Sequence, residues 1–124
     1  MELIEETSGE VIRKDAMKET NATTYWLKIY QSGSIETAKE VIRREAFPGG
    51  LCVTIEPTDY IYLGGEEAGF VIGLVNYPRF PEEPEKIFER AKSLALKILD
   101  ETWQISTMIM TPTETILYQK EKAR

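Results

Sequence analysis

Three glycines within six residues, Gly64, Gly65 and Gly69, bracket the carboxylates Glu66 and Glu67, and Tyr60 and Tyr62 precede them at alternating positions. In an extended chain alternate residues share a face, so the two tyrosines form one aromatic surface. Further on, Asn76, Tyr77, Arg79 and Phe80 stand among Pro78 and Pro81. These residue types suit recognition of a flat, charged small molecule. Tyrosine rings stack on a base, an arginine pairs with phosphate, carboxylates accept from hydroxyls or amines, and an asparagine offers both donor and acceptor to a base edge. The expectation is that the glycine-bearing loop and the 76–80 corner converge in one hollow for a nucleotide-like ligand. Tyr60, Tyr62, Gly64, Gly65, Glu66, Glu67, Asn76, Tyr77, Arg79 and Phe80 are its candidate lining.

Each of these residues also has a structural reading. Tyrosines on a sheet pack beneath helices, with Trp26 and Tyr30 as companions on a neighbouring strand. The GGEEAG run is the tip of a hairpin, and Asn76 satisfies the backbone of a proline-rich turn. The run lacks the Gly-Lys-Ser/Thr of a phosphate loop and does not open a helix as a dinucleotide fingerprint does.

The chain has no histidine, which removes the commonest general base and metal ligand and excludes Ser-His and Cys-His catalysis. Its single cysteine, Cys52, lies in an apolar strand pattern and reads as a buried, inert thiol. Adjacent Glu66 and Glu67 diverge on a strand, which makes them a poor catalytic carboxylate pair. The sequence thus predicts a non-enzymatic protein without metal or cofactor, which binds and sequesters a small nucleotide-derived signal. The alternative is an inhibitor or assembly factor that docks on another protein.

A length of 124 residues with 42% hydrophobic content suits one domain with a single core. A formal charge of −6 argues against a nucleic-acid polymer as partner, because that binding needs a basic face. No apolar run approaches the roughly 20 residues that cross a bilayer, and MELIEETSGE lacks the pattern of a secretory signal, so the expected location is the cytoplasm.

The elements that must hold these residues follow from periodicity. Residues 24–31 alternate as a strand, Ser34 caps a helix to about Ala46, and Pro48-Gly49-Gly50 ends it. Leu51, Val53 and Ile55 alternate in a strand that Pro57 must bend or place at an edge, and 60–63 resume it. After the GGEEAG connection, 70–77 form an apolar central strand in which Gly73 marks a bulge or a close approach. A helix from near Glu85 lines one stripe with Ile87, Ala91, Leu94, Ala95, Ile98, Leu99 and Thr102 or Trp103, and strands at 105–110 and 115–119 close the chain. The predicted fold is α+β: a two-layer sandwich of antiparallel sheet with two helices on one face, ferredoxin-like βαββαβ with an extra terminal strand. Residues 1–20 read as an arm or small hairpin and 21–124 as the domain. The bare second sheet face and the weakly alternating 70–77 strand predict a homo-oligomer.

The run GLCVTIEPTDYIYLGGEEAGFVIGLVNYPRFP, residues 50–81, resembles a family of small uncharacterised proteins of phages and prophages, with the likeness extending from Tyr25 to about Tyr118. The resemblance implies a phage-type protein and brings no catalytic residues to particular positions. By analogy of size and origin, it suggests phage anti-defence proteins that sequester cyclic nucleotide or cyclic ADP-ribose signals.

Overall fold

The computed structural model describes residues 16–49 and 52–121; most of the expected N-terminal hairpin lies outside them, and residues 16–25 carry neither helix nor strand. The elements are β1 (Trp26–Ser32), α1 (Ile35–Gly49), β2 (Val53–Tyr62), β3 (Gly65–Val75), α2 (Pro84–Glu101), β4 (Ser106–Met110) and β5 (Thr115–Gln119). The sheet order is β2-β3-β1-β4-β5 and every neighbouring pair is antiparallel. The first four strands with the two helices make the split βαβ arrangement of ferredoxin-like folds, and β5 extends the β4 edge, as the periodicities predict.

Side-chain parity decides what each strand gives to the core. Leu27 and Ile29 of β1, Phe70, Ile72 and Leu74 of β3, and Ile109 of β4 are buried with Ala38 and Val41 of α1. The apolar stripe of α2 covers them with six of the residues its spacing foretells, Ile87, Ala91, Leu94, Ala95, Ile98 and Leu99, while Thr102 and Trp103 lie past its end and Trp103 is exposed. Pro84 stands in the first turn of α2, where a missing N–H costs nothing. At the other end the N–H groups of Trp103 and Gln104 donate to the carbonyls of Asp100 and Leu99, closing the helix with Trp103 in the left-handed region at φ 60°. On α1, Ser34 Oγ accepts from the Thr37 N–H at 3.1 Å, the expected cap. The helix runs on to Gly49, past the expected stop near Ala46.

Two local expectations change, and at Gly73 one of two alternatives is decided. The connection expected at 64–69 is only Leu63 and Gly64, and β3 begins at Gly65, so Glu66 and Glu67 are strand residues paired with Ile61 and Tyr60. GEEAG has poor strand propensity, but the long partner β2 imposes a ladder on it. Cys52 is exposed rather than buried, because it stands just before β2 on the parity opposite to Val53 and Ile55. Gly73 makes no bulge: its pairing with Lys28 and Thr54 is regular, and a Cβ there would come 2.7 Å from Thr54 Oγ1, so close approach explains the glycine. Pro57 lies on β2, the edge strand, where it removes no bond from a central ladder.

Candidate functional site

β1 pairs with β4 over three residues only, Lys28 with Met110, Ile29 with Ile109 and Tyr30 with Met108. Beyond them Gln31 and Ser32 continue along β3, while Thr107 and Ser106 continue along β5. The sheet forks there, and a cleft of about 430 Å³ opens at the fork, within the roughly 300–1,000 Å³ of small-molecule sites. Tyr30, Ser32, Tyr60, Tyr62 and Glu67 form one side; Gln104, Ser106, Thr107, Met108 and Leu117 form the other.

The glycines explain how the tyrosines reach the cleft. A Cβ on Gly69 would lie 2.7 Å from Tyr60 Cε2, and one on Gly65 would lie 2.6 Å from Tyr62 Cε1, so each ring lies on a strand surface that only glycine leaves free. Gly64, at φ 87° in open space, serves the turn instead. Crossing Gly69, the Tyr60 hydroxyl accepts from the Gln31 N–H at 3.1 Å and donates to the Phe70 carbonyl at 2.7 Å. Gln31 and Phe70 are register partners, so the hydroxyl bridges the β1–β3 seam. Burial, with a smaller contribution from Tyr30, raises its pKa above the ordinary tyrosine range against the lowering effect of the Gln31 N–H. With both hydrogen-bonding roles occupied, Tyr60 offers the cleft its ring.

Glu67 faces the cleft and Glu66 the opposite side, as strand alternation requires. The Ser32 hydroxyl donates to Glu67 Oε1 at 2.7 Å and sets the carboxylate beside the tyrosines. Two polar atoms at the fork have no hydrogen-bond partner, Gln31 Oε1 and Thr107 Oγ1, on residues only 3% and 1% exposed. Among the described residues no group of three or more acidic or cysteine side chains could hold a metal ion.

The second half of the expected site is elsewhere. β3 has 11 residues, about 35 Å of strand, and it separates the Gly65 end from Asn76. Asn76 ties down the corner: its Nδ2 donates to the Thr23 carbonyl at 2.8 Å and its Oδ1 accepts from the Glu82 N–H at 2.9 Å. Tyr77 and Phe80 pack on each other with ring centroids 5.8 Å apart, and Arg79 is exposed. The single hollow predicted from sequence therefore resolves into a cleft that keeps Tyr60, Tyr62 and Glu67 and a remote structural corner of Asn76, Tyr77, Arg79 and Phe80. Sequence reasoning placed Tyr30 only as a companion and missed Ser32, Gln104, Thr107 and Gln31. A signal was present for two of them: Gln31 follows Leu27 and Ile29, and Thr107 precedes Ile109, as polar residues on a core parity.

No family model matches the chain, and no curated protein matches it in sequence. Two solved structures share its fold. The phage SAM lyase in its apo state superposes with a TM-score of 0.67 at 10% identity, covering 89% of this chain and 100% of that one. The phage SAM lyase in complex with S-methyl-5'-thioadenosine gives 0.61 at 11% identity with the same coverage. The phage character implied by residues 50–81 agrees with these neighbours. The expectation of a sequestering protein without catalysis is corrected by them, because both of these neighbours are SAM lyases, which are enzymes. The absence of histidine excludes Ser-His and Cys-His catalysis, but it does not bear on a reaction whose substrate carries its own leaving group.

Proposed function

We propose that the chain is a lyase that cleaves S-adenosylmethionine in the cleft at the β1–β4 fork. One observation carries the reading: a fold shared with the full length of a phage SAM lyase coincides here with a cleft that sets tyrosines beside a carboxylate, as a flat base joined to a cationic tail requires.

The sulfonium of this substrate is its own leaving group. Breaking the bond from sulfur to Cγ of the amino-acid part returns the electron pair to sulfur and releases neutral S-methyl-5'-thioadenosine. Two routes balance. Either the substrate carboxylate attacks Cγ and closes a five-membered lactone with no proton transferred, or a base removes a Cβ proton and elimination leaves an alkene. That proton is activated by no neighbouring carbonyl, and a carboxylate is a weak base for it. The chain has no histidine, and the Tyr60 hydroxyl is already bonded on both sides. Lactone closure is therefore the proposed route. The protein contributes by folding the amino-acid tail so that carboxylate, Cγ and sulfur align. Glu67 holds the ammonium end, the tyrosines seat the adenosyl part, and among the described residues no lysine or arginine lines the cleft to occupy the substrate carboxylate.

Ile61, Leu63, Trp103 and Ile105 are exposed apolar residues, and Ile105 lines this cleft, which supports a homo-oligomer as the working form. Light scattering on a sizing column tests that. The activity is tested by incubating the full chain with S-adenosylmethionine in deuterium oxide. The expected products are S-methyl-5'-thioadenosine and a lactone with no carbon-bound deuterium. Absence of S-methyl-5'-thioadenosine sinks the proposal, and an alkene product sinks the route.

A further inference from the structure

Gln31 breaks the pattern of β1. It follows Leu27 and Ile29 on the core-facing parity and is only 3% exposed, where an apolar side chain would satisfy the interior. Its Oε1 has no hydrogen-bond partner among the described residues, which lowers stability. A residue that breaks a packing rule at such a cost marks a place where the fold serves something else. Gln31 Nε2 donates to Thr102 Oγ1 at 3.1 Å, and Thr102 Oγ1 donates to the Ile98 carbonyl at 2.7 Å. The side chain thus ties the end of β1 to the end of α2.

That tie falls where strand pairing gives out. The β1–β4 ladder stops at Tyr30 and Met108, and the Gln31–Thr102 bond spans the gap beyond it. On the hairpin wall the Gln31 N–H donates to the Tyr60 hydroxyl, the Ser32 hydroxyl donates to Glu67, and the Gly33 N–H donates to the Ala68 carbonyl. On the other wall Thr102 leads through Trp103 into Gln104 and Ile105, which line the cleft. Gly33, at φ 119°, lies against this connection, since a Cβ on it would come 3.1 Å from Thr102 Cβ and 3.3 Å from Gln104 Cγ. Trp103 holds a left-handed backbone at φ 60° that bulky residues seldom adopt, and its side chain is exposed. Such a conformation persists where its surroundings impose it. Here Thr102 is fixed by Gln31 on one side, and the Gln104 N–H is fixed by the Leu99 carbonyl at 3.2 Å on the other.

Resting on the lyase reading of this cleft, we infer that Gln31 is a positioning residue. Its side chain faces the helices and acts through Thr102: it sets the 103–105 connection at a fixed distance from the wall of Tyr60 and Glu67, and so holds the width in which the substrate tail folds.

The test uses the full chain with Gln31→Leu, which removes the unpaired oxygen, gives up the link, and leaves Thr102 Oγ1 its bond to the Ile98 carbonyl. This variant is expected to melt within about 3 °C of wild type or above it, because a buried acceptor without a partner is lost together with one hydrogen bond. Turnover of S-adenosylmethionine is expected to fall about tenfold or more in kcat, with KM changed by less than about threefold, because a displaced wall costs alignment rather than contact. Thr102→Val cuts the same link from the other side, and the double variant is expected to lose no more kcat than the greater single loss. A Gln31→Leu protein with wild-type kcat overturns the inference, as does a double variant whose loss is the product of the two singles. A Gln31→Leu protein that melts about 10 °C lower or does not fold makes Gln31 a structural residue and also overturns it. Each of these results leaves the lyase reading standing. Absence of turnover in the wild type overturns that reading, and the inference falls with it.

Discussion

Replacing Gly69 by alanine puts a methyl group where the sheet has no room. Its Cβ would press on the Gln31 carbonyl oxygen and lie 2.7 Å from both Ser32 Cα and Tyr60 Cε2, where ordinary contact begins at 3.4 Å. None of these neighbours moves freely. Ser32 is the register partner of Gly69, and the Tyr60 ring is held by hydroxyl bonds to the Gln31 N–H and the Phe70 carbonyl. Relief requires both the β1–β3 seam to part and the ring to lift, which gives up two hydroxyl bonds worth about 0.5–1.5 kcal/mol each on top of about 1–3 kcal/mol for overpacking, so the expected loss is about 2–6 kcal/mol. At roughly 2–8 °C per kcal/mol for domains of this size class, the melting temperature falls by at least about 4 °C. Thermal unfolding followed by circular dichroism measures it, with Gly64→Ala as a companion that meets no atom but is strained at φ 87°. The companion loses only about 1 kcal/mol. A Gly69→Ala protein that melts within about 2 °C of wild type would refute the seating of Tyr60 over Gly69, and with it the wall of the cleft.

Tyr60→Phe removes both hydroxyl bonds and is expected to cost about 1–3 kcal/mol in denaturant titration. Because burial raises the Tyr60 pKa, its stabilising contribution is complete below the ordinary tyrosine value and is lost as pH rises through the folded value. The wild type should therefore lose stability in that alkaline window, and Tyr60→Phe should lose less; parallel profiles contradict the assignment. Glu67→Gln removes the carboxylate that Ser32 positions, and KM for S-adenosylmethionine is expected to rise about tenfold or more in steady-state assays. An unchanged KM rejects Glu67 as the ammonium site. Asn76→Ala should lower stability by about 1–3 kcal/mol through the Thr23 and Glu82 backbone groups it leaves unpaired, with turnover per folded molecule intact. Loss of turnover in a folded Asn76→Ala or Arg79→Ala protein would restore the 76–80 corner to the site.

The sheet and helices were legible because burial imposes periods that the chain displays locally. The six buried residues of α2 recur at helical spacing, and Leu27 and Ile29 alternate with Trp26, Lys28 and Tyr30. Half of the candidate site was legible for the same reason: Tyr60 and Tyr62 share a face by parity alone, and Glu66 and Glu67 diverge by it. The glycines marked a real constraint but pointed to the wrong partner, since what lies against Gly65 and Gly69 is the tyrosine pair itself.

Composition and spacing by themselves determined the α+β order, the core stripes and the tyrosine face, because each depends on neighbours within a few residues. Tertiary structure alone decided that β1 and β4 part after Tyr30 and Met108, that Gln31 Oε1 and Thr107 Oγ1 are buried there without a partner among the described residues, and that a whole strand's length separates Glu67 from Arg79. Those facts join residues as far apart as 31 and 107, and where a ladder stops is set by the packing of strands against one another rather than by any local pattern.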